Sequence, residues 1–171
     1  MSKHLFLTGR KQVGKSTVLR RLIEKNALSC AGFETRLLMI DGVRRGFMLH
    51  GRVDMPAQEN DCIVCVRTAE RRSVPVPEVF NENGAKILQL SRAGDAPYIL
   101  MDEIGKLEGG EGAFGEEILR CLDSGKTVLG VLQMCDSELE KRISARSDVQ
   151  VITVTEDNRE DVFLKVCEMY R

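Results

Sequence analysis

The chain has 171 residues, of which 43% are hydrophobic and 30% are charged, and its formal net charge is −1 at pH 7. This balance is typical of globular proteins, and the length suffices for one domain with its own core across residues 1–171. No basic block indicates a nucleic-acid or membrane surface, and no apolar run approaches the roughly 20 residues of a membrane span. We therefore expect a single domain that binds neither nucleic acid nor membrane.

The first element is a short apolar run, His4-Leu5-Phe6-Leu7-Thr8, which predicts a buried strand and leaves no room for a signal peptide before it. We therefore expect a cytoplasmic protein whose six cysteines are free thiols. Cys62 and Cys65 are spaced like a metal-binding pair, but the apolar run around them predicts a strand. Residues i and i+3 of a strand face opposite sides, so we expect no metal shared by these thiols.

A glycine-containing stretch follows the first strand and precedes an amphipathic segment, Ser16 to Ala27, that predicts a helix. It reads Gly9-Arg10-Lys11-Gln12-Val13-Gly14-Lys15-Ser16-Thr17 and fits the pattern G-x-x-x-x-G-K-[ST]. In such a loop the backbone N–H groups and the positive end of the helix converge on phosphate oxygens. The lysine reaches the β- and γ-phosphates, and the Ser16 hydroxyl can bind Mg²⁺. The stretch therefore predicts a nucleotide-phosphate site with Mg²⁺ as its cofactor.

Next in the chain come two apolar runs, 31–40 and 43–50, on either side of Asp41-Gly42, which predict a β-hairpin inserted after the first helix. Residues 61–67 predict a further strand, and 79–90 a helix. The segment Thr68–Pro77 carries charges and two prolines, so we expect an irregular or mobile connection there.

A second informative stretch, residues 97–106, has an apolar run that ends in Asp102-Glu103. An uninterrupted apolar run is typical of a strand buried on both faces in a parallel sheet, where ligands bind at the carboxyl ends of the strands. We therefore predict that Asp102 holds Mg²⁺ together with Ser16. Adjacent residues of an extended strand point in opposite directions. We therefore expect Glu103, where the strand breaks into Ile104-Gly105, to turn toward the γ-phosphate as the catalytic base.

Two alternatives accompany this assignment. Glu103 could instead pair with Lys106 or with a surface arginine. If Glu103 is not the base, Gln133 or Glu108 is the next candidate.

The second half of the chain alternates strands and helices. A glycine-rich stretch, 107–115, predicts a flexible loop beside the site, and Ser137 with Glu140 has the spacing of a helix capping box. Helices are expected at 116–123, 137–145 and 160–170, and strands at 127–132 and 149–154. This alternation predicts an α/β fold whose mostly parallel sheet has helices on both faces.

Several side chains are candidates for contacts with the charge that develops on the transferred phosphate or with the nucleobase. Gln133 follows the strand expected at 127–132. If this strand inserts between the phosphate-loop strand and the Asp102 strand, Gln133 lies near the γ-phosphate. Alternatively, Gln133 is an exposed polar residue at the end of a strand. A further cation is expected near the phosphates. For it we favour Arg142 or Arg146, and we expect Asn158-Arg159 on the nucleobase side.

With these motifs in place, nearly the whole chain resembles the small nucleoside-triphosphatase family that includes the human cancer-related nucleoside-triphosphatase. The run Asp102-Glu103-Ile104-Gly105-Lys106-Leu107-Glu108 and the late Asn158-Arg159-Glu160 carry the most specific part of this resemblance. Further matches are Gly9–Thr17, Gly32–Thr35, Arg45–Phe47, Leu122–Lys126 and Arg146–Val149. Two features depart from it, since Gln133-Met134 replaces a usual His-Arg and a tyrosine-containing segment is not recognisable in 68–80.

The resemblance implies a fold similar to RecA-type ATPases and slow Mg²⁺-dependent hydrolysis of ATP, GTP and other nucleoside triphosphates. A kinase of a small acceptor and a nucleotide-dependent switch remain alternatives. A kinase would need an arginine-bearing lid, and the loop 109–115 has no arginine. A switch would need a partner surface, for which 68–77 is a candidate, but the sequence identifies no protein partner.

Overall fold

The computed structural model describes residues 3–70, 72–105 and 112–171, which are built on one eight-stranded sheet. Its strands are β1 (His4–Thr8), β2 (Cys30–Ile40), β3 (Val43–Gly51), β4 (Asp61–Arg67), β5 (Ser73–Pro75), β6 (Tyr98–Ile104), β7 (Thr127–Leu132) and β8 (Val149–Thr153). The spatial order is β5-β4-β3-β2-β6-β7-β1-β8. Strands β2, β6, β7, β1 and β8 are mutually parallel, and the remaining pairings are antiparallel.

Helices cover both faces of the parallel part of the sheet. They are α1 (Lys15–Lys25), α2 (Ala57–Asn60), α3 (Pro77–Val79), α4 (Ala85–Ala93), α5 (Ala113–Leu122), α6 (Glu138–Ser144) and α7 (Arg159–Met169), with a π-helical turn at Phe80–Gly84 between α3 and α4. One hydrophobic core joins Phe6 and Phe33 to α4, α5 and α6, and the other joins Leu5 and Leu7 to α1 and α7. The predicted α/β architecture with a mostly parallel sheet is therefore confirmed.

The predicted hairpin is also confirmed. Strands β2 and β3 pair antiparallel, with Thr35 opposite Leu49 and Ile40 opposite Val43. The two connecting residues, Asp41 and Gly42, have φ angles of 51° and 74°. Positive φ at both central residues matches the twist of the flanking strands, which explains why Asp-Gly closes this hairpin. Strands β4 and β5 extend the sheet beyond it.

Three local predictions need correction. The segment 68–77 contains β5, which pairs with β4 through Val66 and Val74. The helix expected at 79–90 begins at Pro77, a favoured first position because proline lacks an N–H, and continues to Ala93 through the π-helical turn. Ala113–Gly115, expected in a loop, form the first turn of α5.

Tertiary contacts stabilise the first turn of α5 although the sequence there is rich in glycine. Phe114 is fully buried, with its ring centroid 5.5 Å from that of Phe33 and 5.3 Å from that of Phe80. Its backbone N–H donates to the side-chain oxygen of Asn81. The remainder of the glycine-rich stretch, including Lys106 and Glu108, lies outside the described residues.

The β6 strand ends close to the expected break at Ile104-Gly105. Asp102 and Glu103 lie within it, and it ends at Ile104, with a register irregularity against β7 between Met101 and Ile104. The backbone N–H of Gln133 donates to the carbonyl of Ile104 at 2.7 Å, so hydrogen bonding to the neighbouring strand continues past the acidic pair. The strand therefore ends one residue after Glu103.

Cys65 is buried and Cys62 is half-buried, both as free thiols. The part of the chain that the structure describes contains no cluster of three or more His, Cys, Asp or Glu side chains suited to a metal. Within the same residues, no helix has the length and apolarity to cross a membrane.

Candidate active site

The loop between β1 and α1 has the backbone shape of a phosphate-binding loop. Gly9 and Gly14 have φ angles of 133° and 98°, and Gln12 between them has 66°. A Cβ on Gly9 would stand 2.3 Å from the carbonyl oxygen of Val154, so only glycine fits this close approach to the end of β8. The loop is therefore held against the sheet at its first glycine, with Arg10 and Lys11 exposed at its tip.

Lys15 lies inside the curve of this loop, with only 6% of its surface exposed. Its ammonium donates hydrogen bonds to the carbonyl oxygens of Gly9 at 3.0 Å and Arg10 at 2.7 Å. Neither partner carries a charge, so the buried ammonium would attract an anion that enters the loop.

The Ser16 hydroxyl donates a 2.5 Å hydrogen bond to Oδ1 of Asp102. Asp102 is 6% exposed, and its burial raises the pKa of its carboxyl group to about 6; the hydrogen bond from Ser16 opposes this shift, and the charge of Glu103 adds to it. Hydroxyl and carboxylate oxygens are the ligands that Mg²⁺ prefers in proteins, and a bound cation would offset the cost of the buried charge. The donor set at this point therefore fits a magnesium ion.

Sequence reasoning missed one contact at this point. The Thr35 hydroxyl of β2 donates to the backbone carbonyl of Asp102 at 2.8 Å. Thr35 belongs to a stretch that matches the family, 32–35, but the sequence does not indicate this contact, because it depends on the pairing of β2 with β6.

Glu103 lies in β6 and Gln133 directly follows β7, so both are at the carboxyl ends of neighbouring parallel strands. Strand β7 inserts between β6 and β1, as the Gln133 hypothesis requires. The side chain of Gln133 packs on the backbone just after Glu103, since a Cβ on Gly105 would stand 2.3 Å from its Oε1. Glu103 is half-buried. Both side chains thus belong to the edge where the phosphate loop lies.

The turn after β8 brings Arg159 to the phosphate loop. The Asn158 amide accepts from the Thr155 N–H at 2.8 Å and donates to the Thr153 carbonyl at 3.0 Å, so it holds the turn. The Arg159 side chain extends along Gly14, where its Cδ would lie 3.8 Å from an added Cβ. A cleft beside the loop is lined by Gly14, Thr17, Val18, Arg21, Arg159 and Glu160.

Arg146 lies at the opposite edge of the sheet, which corrects its assignment as a phosphate ligand. Its guanidinium donates to Asp148 at 2.9 and 2.8 Å and to Asp123 at 2.7 Å. The Asp148 carbonyl in turn accepts from the N–H groups of Lys3 and His4, at the amino end of β1. Arg142 is exposed in the second half of α6, and this helix leads toward the same amino edge.

A strand–phosphate loop–helix unit whose Ser16 hydroxyl is bound to a buried carboxylate of the sheet is the arrangement found in P-loop nucleoside-triphosphatases. The family model described as NTPase matches residues 4–167 of this chain. The chain therefore belongs to the NTPase family, and it is an enzyme of the hydrolase class.

Individual relatives agree with this assignment. The nucleoside-triphosphatase THEP1 of Methanosarcina barkeri is 30% identical over 96% of this chain and 95% of its own length. The cancer-related nucleoside-triphosphatase homolog of Mus musculus is 28% identical over 93% and 92% of the two chains. The crystal structure of THEP1 from Aquifex aeolicus superposes with a TM-score of 0.75 at 22% identity, covering 98% of this chain and 99% of the other, which shows the shared fold.

Proposed function

We propose that this chain, acting as a single domain of residues 1–171, hydrolyses nucleoside triphosphates such as ATP and GTP to the diphosphate and inorganic phosphate with Mg²⁺ as cofactor. The observation that carries the proposal is the hydrogen bond from Ser16 to Asp102. It joins the phosphate loop to a buried carboxylate at the point where the γ-phosphate and its metal ion meet in P-loop enzymes.

Residues 9–17 would hold the phosphates through backbone N–H groups, and Lys15 would move from its two carbonyl partners to the β- and γ-phosphate oxygens. Ser16 and Asp102 would hold Mg²⁺, which when bound neutralises phosphate charge and orients the β- and γ-oxygens.

Glu103 would take the proton of the attacking water. As the water oxygen bonds to the γ-phosphorus, the bond from phosphorus to the bridging oxygen breaks, and its electron pair leaves with the diphosphate. Gln133, which packs on Gly105, would orient the water through its side-chain amide.

The cleft beside Gly14 would receive the ribose and base. An arginine guanidinium stacks on the flat face of any nucleobase, so Arg159 would bind the nucleotide without selecting a particular base. Asn158 would act through the turn that positions Arg159, because its own amide is bound to the backbone. This arrangement supports the hydrolysis of several nucleoside triphosphates.

The test is phosphate release from a panel of nucleoside triphosphates by the full chain, with Mg²⁺ or with excess chelator, in the presence and absence of candidate acceptors. We expect release that needs Mg²⁺ but no acceptor, and an Asp102→Asn variant that needs a higher Mg²⁺ concentration. Asp61→Asn, which changes an exposed acid of β4, serves as the matched control. Acceptor-dependent turnover would indicate a kinase, and tight binding without turnover would indicate a switch.

A further inference from the structure

A second carboxylate lies one strand away from Asp102. Strands β2 and β6 are parallel neighbours, and Glu34 is the residue in register with Asp102. Register partners on adjacent strands share a face, and adjacent strands lie about 4.8 Å apart. The two carboxylates therefore extend from the same face, toward α1.

Glu34 lines a cavity together with Ser16 and Asp102. Its side chain is 17% exposed, and its Oε1 accepts a 2.9 Å hydrogen bond from Arg36. Among the described residues, no hydrogen bond to its Oε2 is found. This small cavity lies between α1 and the sheet and is also lined by Arg20 and Arg52.

The backbone around this pair is also fixed. The hydrogen bond from the hydroxyl of Thr35, the next residue, to the Asp102 carbonyl ties β2 to β6 at this position. Glu34 thus stands on a rigid strand, whereas a surface acid on a loop could turn away from its neighbour. Its ion pair with Arg36, whose side chain is 50% exposed, adds little by itself, as is usual for exposed pairs.

We propose that Glu34 is a positioning residue for the metal, whose free carboxylate oxygen accepts a hydrogen bond from a water molecule on Mg²⁺ held by Ser16 and Asp102. The inference rests on the proposed function, because it needs the metal to bind there. Mg²⁺ dehydrates reluctantly and usually keeps several waters, and acceptors for those waters orient the ion. Glu34 lies one strand away from Asp102 and is too far to bind the ion that Ser16 and Asp102 would hold. Its contact with the ion would therefore run through a water molecule.

The test measures binding instead of turnover. The full chain is titrated with Mg²⁺ in the presence of a fluorescent ADP analogue, and the titration is repeated with excess chelator. For Glu34→Gln we expect the Mg²⁺ concentration at half-maximal binding to rise by about 10-fold, the lower end of losses for outer contacts of metal sites. Affinity in chelator should stay unchanged, because Glu34 does not touch the nucleotide.

Two further variants sharpen the result. Glu34→Asp keeps the charge and should restore part of the Mg²⁺ affinity, whereas Asp61→Asn should behave like the parent. Thermal unfolding of each variant checks that it folds; if Glu34→Gln does not, Glu34→Asp still has to show a raised Mg²⁺ requirement.

Unchanged Mg²⁺ dependence in a folded Glu34→Gln protein would overturn the proposal, as would an equal loss of binding with and without metal. Asp102→Asn in the same titration separates this failure from that of the proposed function. If Asp102→Asn raises the Mg²⁺ requirement and Glu34→Gln does not, only the role of Glu34 is wrong. If neither does, the magnesium site itself is wrong.

Discussion

The hydroxyl of Ser16 is hydrogen-bonded to Oδ1 of Asp102 at 2.5 Å, although 86 positions separate these residues in the chain. Strand β7 lies between the strand that leads into the phosphate loop and the strand that carries Asp102, so α1 must reach across β7 to make this contact. The order of the strands therefore brings the two expected magnesium ligands together.

Removing the phosphate-loop ammonium should weaken nucleotide binding. We expect Lys15→Ala to lower the affinity for ATP about 10- to 100-fold, since a hydrogen bond to a charged group contributes about 1.5–3 kcal/mol. Equilibrium binding of a fluorescent nucleotide measures this. Lys25→Ala at the other end of α1, where the ammonium lies over the Phe163 ring, is the control and should bind normally. Equal affinity in both variants would contradict the phosphate-loop assignment.

Replacing Glu103 with Gln keeps its size and its capacity for hydrogen bonding but removes the base. We expect Mg²⁺–ATP binding to persist, with single-turnover hydrolysis slower by about 10²–10⁴-fold, the usual span for loss of a general base. Glu116→Gln on the exposed side of α5 is the matched control. Hydrolysis at the parent rate by Glu103→Gln would shift the role of base to Gln133 or Glu108.

If Gln133 orients the attacking water, removing its side chain should slow turnover without weakening nucleotide binding. We expect Gln133→Ala to lower kcat about 10²-fold, a cost typical of losing one well-positioned donor, with KM nearly unchanged. Steady-state kinetics with Gln150→Ala in β8 as the control measures it. A Gln133→Ala protein with the parent kcat would leave this residue with only its packing on Gly105.

We expect Arg159 to contribute to nucleotide binding and Arg146 to contribute only to stability. Arg159→Ala should raise the dissociation constant for nucleotides about 10-fold, whatever the base, because it removes a stacking surface at the cleft. Arg146→Ala should leave kcat and KM unchanged but lower the free energy of unfolding by about 1–2 kcal/mol, since it breaks hydrogen bonds to Asp148 and Asp123. Denaturant unfolding and nucleotide binding of both variants measure the contrast. A kinetic defect in Arg146→Ala would contradict its placement at the amino edge.

The buried His4 should make stability depend on pH. Its Nδ1 accepts a 3.0 Å hydrogen bond from the Val128 N–H, which requires the neutral ring, and burial lowers the His4 pKa below its ordinary value of 6.5 although Asp148 opposes the shift. Between the lowered folded pKa and 6.5, the unfolded chain then binds more protons than the native chain. The free energy of unfolding should therefore fall as the pH drops from 6.5 through the folded pKa.

Urea unfolding at several pH values tests this dependence. His4→Asn offers an acceptor that does not titrate, so its free energy of unfolding should fall less steeply than that of the parent. Equal slopes in the parent and in His4→Asn would remove His4 as the cause.

The features predicted correctly from the sequence are those encoded by neighbouring residues. The phosphate loop could be recognised because its glycines, lysine and hydroxyl are contiguous, and the Asp41-Gly42 turn because two positive φ angles suit this pair. Ser137 caps α6 as its spacing indicated, accepting from the Glu140 N–H, while the Glu140 carboxylate accepts from the Cys135 and Asp136 N–H groups. The strand–helix alternation likewise determined the fold class.

Apart from Ser16 and Asp102, whose proximity the two motifs predicted, tertiary structure decided which distant side chains meet. The register of β2 on β6 places Glu34 beside Asp102, and packing of Phe114 turns a glycine-rich start into the first turn of α5. Chain direction through α6 carries Arg146 to the amino edge, away from the phosphate loop. Burial of hydrophobic side chains from the whole chain selects such pairings, so no short stretch of sequence contains them; local backbone geometry, by contrast, is fixed by the few residues that adopt it.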